Sequence, residues 1–121
     1  MRVEGIAMQE LTLKEPSVAK ASKRIEERII KKSLDLIVLR ALEHESMSGY
    51  AIILFVDRRF GVRLSAGTVY SLLYSLERNG FIRAHVGKAA KSYILRKKGE
   101  VTLLALKKMQ NRLRALNGDI F

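Results

Sequence analysis

The chain has 121 residues, 48% of them hydrophobic, with one Pro and no Cys; that suffices for one folded, mostly helical domain and is too little for two independent cores. Lys and Arg number 23 against 12 Asp and Glu, a formal net charge of +11, which points to a polyanionic partner, either nucleic acid or an anionic membrane surface. The lack of Cys excludes disulfides and thiolate metal sites, and no run reaches the roughly 18 apolar residues that a bilayer span needs.

Residues 1–17 read as an N-terminal extension. The stretch MRVEGIAMQELTLKEP has acidic residues and no continuous apolar block, so it is not expected to act as a secretory signal, and Pro16 discourages helix at Glu15. A long helix is predicted from Val18 or Ser22 to Glu43, because Ile25, Ile29, Leu34, Ile37, Val38, Ala41 and Leu42 recur at three- and four-residue steps. Lys23, Arg24, Arg28, Lys31 and Lys32 crowd its first half, a run that alone means only a solvated face. Residues 44–48 read as a turn. Ser48 can cap a second helix from Gly49 to about Arg59, through the apolar run AIILFV to a stop at Phe60-Gly61.

The third helix carries the most information. Ser65 is its predicted N-cap, Val69, Leu72, Leu73 and Leu76 form one apolar face at helical spacing, and Asn79-Gly80 closes it. Opposite the stripe lie Gly67, Ser71, Tyr74 and Arg78, flanked by Thr68, Tyr70 and Ser75. A short helix that is apolar behind and hydroxyl-rich in front suits a DNA major groove. After Gly80 the pattern alternates: Phe81, Arg83 and His85 interleave with Ile82, Ala84 and Val86, residues 87–91 turn, and Ser92–Arg96 return. Such a hairpin is the wing of a winged helix. Arg78, Arg83, Lys88, Lys91, Arg96, Lys97 and Lys98 bring seven cations and no acid to this stretch, on the helix end and hairpin tip that phosphate contact requires. A last helix runs from Lys98 or Gly99 to Asn117, ended by Gly118. Its Leu106, Met109, Leu113 and Leu116 follow coiled-coil spacing, widened by Leu103 and Leu104. The expected fold is therefore mainly α (α+β). It is a winged helix-turn-helix over residues 18–97, three helices plus a two-stranded β-hairpin wing, followed by a C-terminal dimerisation helix over 98–121 with the first helix contributing.

Thr68 and Ser71 are short donors near a helix N-terminus, where the dipole favours phosphate. Tyr70 and Tyr74 can stack on sugar or bond phosphate, or pack their rings and keep only the hydroxyl wet. Arg78 can make a bidentate guanine contact, but its late position favours phosphate. Tyr50 is expected to pack against the third helix and Glu77 to pair with a nearby Arg or Lys. The two histidines, His44 and His85, lie far apart without clustered carboxylates, so no metal is expected. No GxSxG, P-loop, HExxH or paired-acid arrangement occurs, which excludes the usual enzyme chemistries.

Gly49-Tyr50 at the start of the second helix, the stretch LSAGTVYSLLYSLERNGFI over 64–82 and a short basic wing with SYIL together resemble the PadR-like transcriptional regulators. The resemblance covers about residues 34–100, and Gly67-Thr68-Val69-Tyr70 with Leu76-Glu77 and Gly80 is its most specific part. It implies a dimeric, repressor-type DNA-binding protein whose third helix enters successive major grooves at an inverted repeat. By the same resemblance Ser65, Gly67, Thr68 and Tyr70 form the DNA-facing start of the recognition helix, and Lys88 and Lys91 fall in the wing. Ala66 and Ser71 stand where the family often has Pro, and Arg96 where it commonly has Thr. The single C-terminal helix resembles the shorter branch of the family. Some members of that branch bind aromatic drugs between subunits through Trp; this chain has no Trp, so no such site is expected and any small-molecule effector is left open.

The expected function is a dimeric, sequence-specific double-stranded DNA-binding repressor. It uses Ser65, Gly67, Thr68, Tyr70, Ser71, Tyr74, Arg78, Lys88 and Lys91, needs no cofactor, and works in the cytoplasm in association with the nucleoid rather than at a membrane. Its thin set of base-reading side chains keeps a second reading open, an architectural DNA-coating protein with low sequence specificity. A protein- or membrane-interaction module is a third, against which the basic hairpin argues.

Overall fold

The computed structural model describes residues 17–87 and 91–120, the last four of these by backbone alone. The chain divides into two compact units, Met1–Leu34 and Asp35–Phe121. The described part of the first is helix α1, Val18–Lys32. Ser17 caps it by accepting the Lys20 N–H at 3.3 Å, and Lys31 and Lys32 in the last turn complement its dipole. Val18, Ile25 and Ile29 are exposed, whereas Ile30 is buried.

The long helix predicted from residue 18 to 43 is two helices, because the chain breaks at Ser33 before α2, Leu34–Leu42. The Ser33 N–H closes α1 on the carbonyls of Ile29 and Ile30, with φ −103° and ψ 15°. Asp35 then takes the Leu36 N–H on its own carboxylate at 2.8 Å, the local bonding by which short polar side chains compete with a helix ladder. Apolar periodicity continues across this joint, so spacing alone does not reveal it.

The second unit continues with α3 (Gly49–Phe60), α4 (Ala66–Arg78), β1 (Ile82–Val86), β2 (Lys91–Leu95) and α5 (Lys97–Ile120). Its core gathers Val38, Leu39 and Leu42 from α2, Ile52 and Val56 from α3, Val69, Leu73 and Leu76 from α4, Ile82, Tyr93 and Leu103. Each aliphatic side chain so buried is worth about 1.5–3 kcal/mol, and among the described residues no polar or charged one is buried. Ser48 caps α3 through the Ala51 N–H at 3.1 Å, and Gly61, with φ 69°, ends it. The short connection to Ser65 makes α3 and α4 a helix-turn-helix.

Strands β1 and β2 pair antiparallel from Ile82 opposite Leu95 to Val86 opposite Lys91. Met47, in the segment read as a turn, adds a bridge to Tyr93: the Tyr93 N–H donates to the Met47 carbonyl at 2.9 Å and the Met47 N–H to the Tyr93 carbonyl at 3.3 Å. Arg96, expected in the return strand, instead donates its N–H to the Phe81 carbonyl at 3.0 Å at the joint into α5. Helix α5 passes through Gly118 to Ile120 instead of stopping, since glycine weakens a helix by about 1 kcal/mol without forbidding it. Lys107 on α5 reaches the Glu43 carboxylate at 2.8 Å, with Arg40 at 3.5 Å on its other oxygen. Chiefly the hydrogen bond from Lys107 holds the Glu43 carboxyl below the usual range. Beyond that pair Met109, Leu113 and Leu116 are exposed, as is Leu104 before it. Among the described residues no helix is long and apolar enough to cross a membrane.

The joint between hairpin and α5 is tight at Gly99, where a Cβ would collide with the Phe81 carbonyl oxygen and stand 3.1 Å from Leu95 Cδ2. Backbone cannot swing aside as a side-chain tip can. Gly99→Ala is expected to cost about 1–3 kcal/mol, read as a lowered urea midpoint at unchanged m-value.

Candidate nucleic-acid interface

Helix α4 is built to show one face and hide the other. Ser65, in extended conformation, accepts the Thr68 N–H at 3.1 Å and donates its own hydroxyl hydrogen to Thr68 Oγ1 at 2.8 Å. The predicted cap is in place, and Ser65 is bound to Thr68 by both contacts. The amides of Ala66 and Gly67 precede the first ladder donor, the Val69 N–H that bonds the Ser65 carbonyl at 3.2 Å, and residues 65–68 are all exposed at this positive end of the helix. At the other end Gly80, with φ 84°, lets the Phe81 N–H return to the Leu76 carbonyl at 2.9 Å and its own N–H to the Glu77 carbonyl at 3.1 Å. This pair of bonds is a Schellman closure.

Val69, Leu73 and Leu76 are buried and Leu72 is half-buried, while Gly67, Thr68, Tyr70, Ser71, Tyr74, Ser75 and Arg78 are exposed. The structure thus collects Ser65, Gly67, Thr68, Tyr70, Ser71, Tyr74 and Arg78 on the solvent side of one helix. Lys91 is exposed on the hairpin; Lys88 lies outside the described residues. Arg78 holds its guanidinium 5.9 Å from the centre of the Tyr74 ring, and Lys91 its ammonium 5.7 Å from the Tyr93 ring.

Three residues behave differently from expectation. Tyr50 does not pack against α4 but is 65% exposed. The contact belongs to Gly49, where a Cβ would sit 2.5 Å from Cε1 and Cζ of the Tyr70 ring. The helical wheel could have revealed this, since Tyr50 points at least about 120° away from the buried Ile52 and Val56. Glu77 accepts the Ala84 N–H at 3.1 Å instead of pairing with a cation, satisfying an outward amide of β1 and tying the wing to the helix. Lys98 donates to the Asn79 carbonyl at 2.9 Å and lies 4.5 Å from the centre of the Phe81 ring. One of the seven cations, though exposed, is therefore engaged by the chain itself at the carbonyl end of α4. Among the described residues no three His, Cys, Asp or Glu are grouped to hold a metal ion.

A family profile described as "Transcriptional regulator PadR-like family" matches residues 38–105. The fold is similar to that of a PadR-like transcriptional regulator from Bacillus cereus strain ATCC 14579, at 18% identity and TM-score 0.68, covering 77% of this chain and 95% of that one. A PadR family transcriptional regulator from Eggerthella lenta DSM 2243 is similar at 21% identity and TM-score 0.68, covering 84% and 93%. Bacillus subtilis PadR, solved in complex with operator DNA, aligns at 24% identity and TM-score 0.52 over 60% of this chain and 46% of that one. None of the curated proteins is close enough in sequence to match.

Because the Tyr70 ring rests on Gly49, Gly49→Ala is expected to push the ring off α3 while leaving stability within about 1 kcal/mol, as the displaced atoms are the tip of a side chain. Near-ultraviolet circular dichroism should change and the unfolding midpoint should hardly move.

Proposed function

The chain belongs to the PadR-like family of transcriptional regulators, which are not enzymes, and from that membership we propose that it is a dimeric repressor reading an inverted repeat in duplex DNA. The observation that carries the reading is the face of α4: a bare, capped, positive helix end followed by exposed Thr68, Tyr70, Ser71, Tyr74 and Arg78. Such a helix fits a major groove with its N-terminal residues toward the base edges. In this arrangement Thr68 and Ser71 read bases or the waters bound to them, the aromatic rings of Tyr70 and Tyr74 lie against sugar, and Arg78 meets phosphate from the last turn. Exposed Tyr50 adds a hydroxyl at the start of α3, where the first helix of a helix-turn-helix crosses the DNA backbone. Lys88 and Lys91 of the wing take the neighbouring phosphates, and the protein acts on the chromosome in the cytoplasm.

The dimer in this proposal forms through α5, whose Met109, Leu113 and Leu116 are about half exposed in a single chain. A row of that spacing is a helix-pairing seam. The exposed Val18, Ile25 and Ile29 of α1 supply a second apolar surface. Two copies would then present two reading helices with twofold symmetry, as an inverted repeat demands.

Selection of bound duplexes from a random-sequence pool tests this. A symmetric enriched site supports a sequence-specific repressor; no enrichment with strong low-salt binding replaces it with a coating protein, the reading favoured by there being one Arg on the face. Lys91→Ala should weaken all sequences alike and flatten the plot of log affinity against log salt by about one unit. Thr68→Ala should instead alter the enriched sequence. Leu113→Asp, which places a charge in the seam, should leave a folded monomer by sedimentation; an undiminished dimer excludes α5 as the interface.

A further inference from the structure

Within α3 the run AIILFV, Ala51 to Val56, is apolar on every side of the helix. A helix of that kind is normally enclosed. Here the core takes only Ile52 and Val56, with Gly49 set against Tyr70. At 100° per residue Leu54 stands about 160° from both Ile52 and Val56, and Leu54 and Phe55 are only half-buried. Two large apolar side chains thus lie on a face that the fold does not use.

Together with Met47, Ala51, Arg58 and Arg59 they line an open hollow of about 440 Å³. Its floor is apolar and its rim cationic. Arg59 has its guanidinium 5.8 Å from the centre of the Phe60 ring, which in turn meets the Phe55 ring edge-on at 6.5 Å. Arg58 is exposed and makes no ion pair among the described residues. The one acid of α3, Asp57, faces Arg63 at 3.9 Å instead.

Apolar floor and cationic rim together select among occupants. A DNA backbone would answer the arginines but gain nothing from Leu54 and Phe55. A second copy would bring a net charge of +11 against the rim. A lipid surface receives apolar groups that protrude, and these line a hollow. Small molecules are enclosed over most of their surface in their sites, whereas every residue of this lining is half-buried or exposed. An amphipathic helix laid in a groove needs an open apolar floor, and carboxylates beside its apolar face would meet Arg58 and Arg59 in charge-assisted hydrogen bonds.

We propose that the outer face of α3 is a docking groove for an acidic amphipathic segment of another protein. Apolar side chains of that segment enter the hollow over Leu54 and Phe55, and its carboxylates pair with Arg58 and Arg59. The groove shares no residue with the proposed DNA surface, so this inference does not rest on the DNA-binding reading.

The probe is a fluorescein-labelled, Glu- and Ala-rich helical peptide of about 15 residues, with Leu and Phe on adjacent turns of one face; a matched peptide has Ala at both places. Anisotropy with the full chain should show the first peptide binding at least about tenfold more tightly than the second. Amide shifts in isotope-labelled protein should centre on residues 51–59. Leu54→Gln and Arg58→Glu, at half-buried and exposed positions, should keep the parent's far-ultraviolet circular dichroism and each weaken the first peptide at least about tenfold. Lys108→Glu makes the same change of net charge at an exposed site on α5 and should leave affinity within about twofold. General attraction between an acidic peptide and a basic chain predicts equal affinity for the two peptides and equal losses from Arg58→Glu and Lys108→Glu. Either result, or no binding by either peptide, overturns the proposal. So do shifts at Leu54 and Phe55 that duplex DNA or phosphatidylglycerol vesicles produce and the peptide does not. Shifts there on dilution of the chain alone assign the groove to a second copy and overturn it as well.

Discussion

Burial of Val69, Leu73 and Leu76 is the constraint on which the rest of the molecule depends. These three side chains seat α4 on the core, and at about 1.5–3 kcal/mol apiece they supply enough to hold the helix without help from its other side. Apart from the Tyr70 ring, which rests on Gly49, the opposite face is thereby released from a part in folding. It can be assembled from hydroxyls, a glycine and aromatic rings that would make a poor core. Ser65 at one end and the left-handed Gly80 at the other set where the helix begins and ends, and so set which residues lead.

The hairpin is not an independent appendage. Glu77 takes an amide of β1, Lys98 takes the carbonyl of Asn79, which caps α4, and lies over Phe81, and Gly99 lets α5 approach the Phe81 carbonyl. Helix, wing and the start of the final helix are joined within a few residues of Phe81. Two charged residues, Glu77 and Lys98, are engaged in this joint. Lys91 and Lys98 are both exposed, but Lys98 also donates to the Asn79 carbonyl, so the two cations differ in how freely their side chains can move.

Much of this was legible beforehand, for reasons that differ by element. The α4 stripe, the Ser48 and Ser65 caps and the glycine stops at Gly61 and Gly80 are local features, decided within a few residues. The hairpin showed itself because apolar alternation replaced helical spacing after Gly80. The break at Ser33 was hidden, since the apolar rhythm runs through it, and Gly118 misled because its freedom permits a stop without compelling one. Contacts made across the fold left weaker traces. That Gly49 carries the weight of Tyr70, while Tyr50 turns outward, depends on how α3 and α4 meet, and Glu77 could be matched with Ala84 only once the strand lay beside the helix. The Met47 bridge was invisible because a single paired residue has no period.

The far half of α5 follows different rules from the rest of the second unit. Past Lys107 every side chain through Leu116 is exposed, so nothing in its own unit fastens that stretch, and isolated helices of such length are marginal in water. Its winding is then set by whatever covers Met109, Leu113 and Leu116 and by how often that cover is lost. If the cover is a second copy of the chain, as proposed above, amide hydrogens along this arm exchange faster as the solution is diluted, making local order there a gauge of the protein's own abundance.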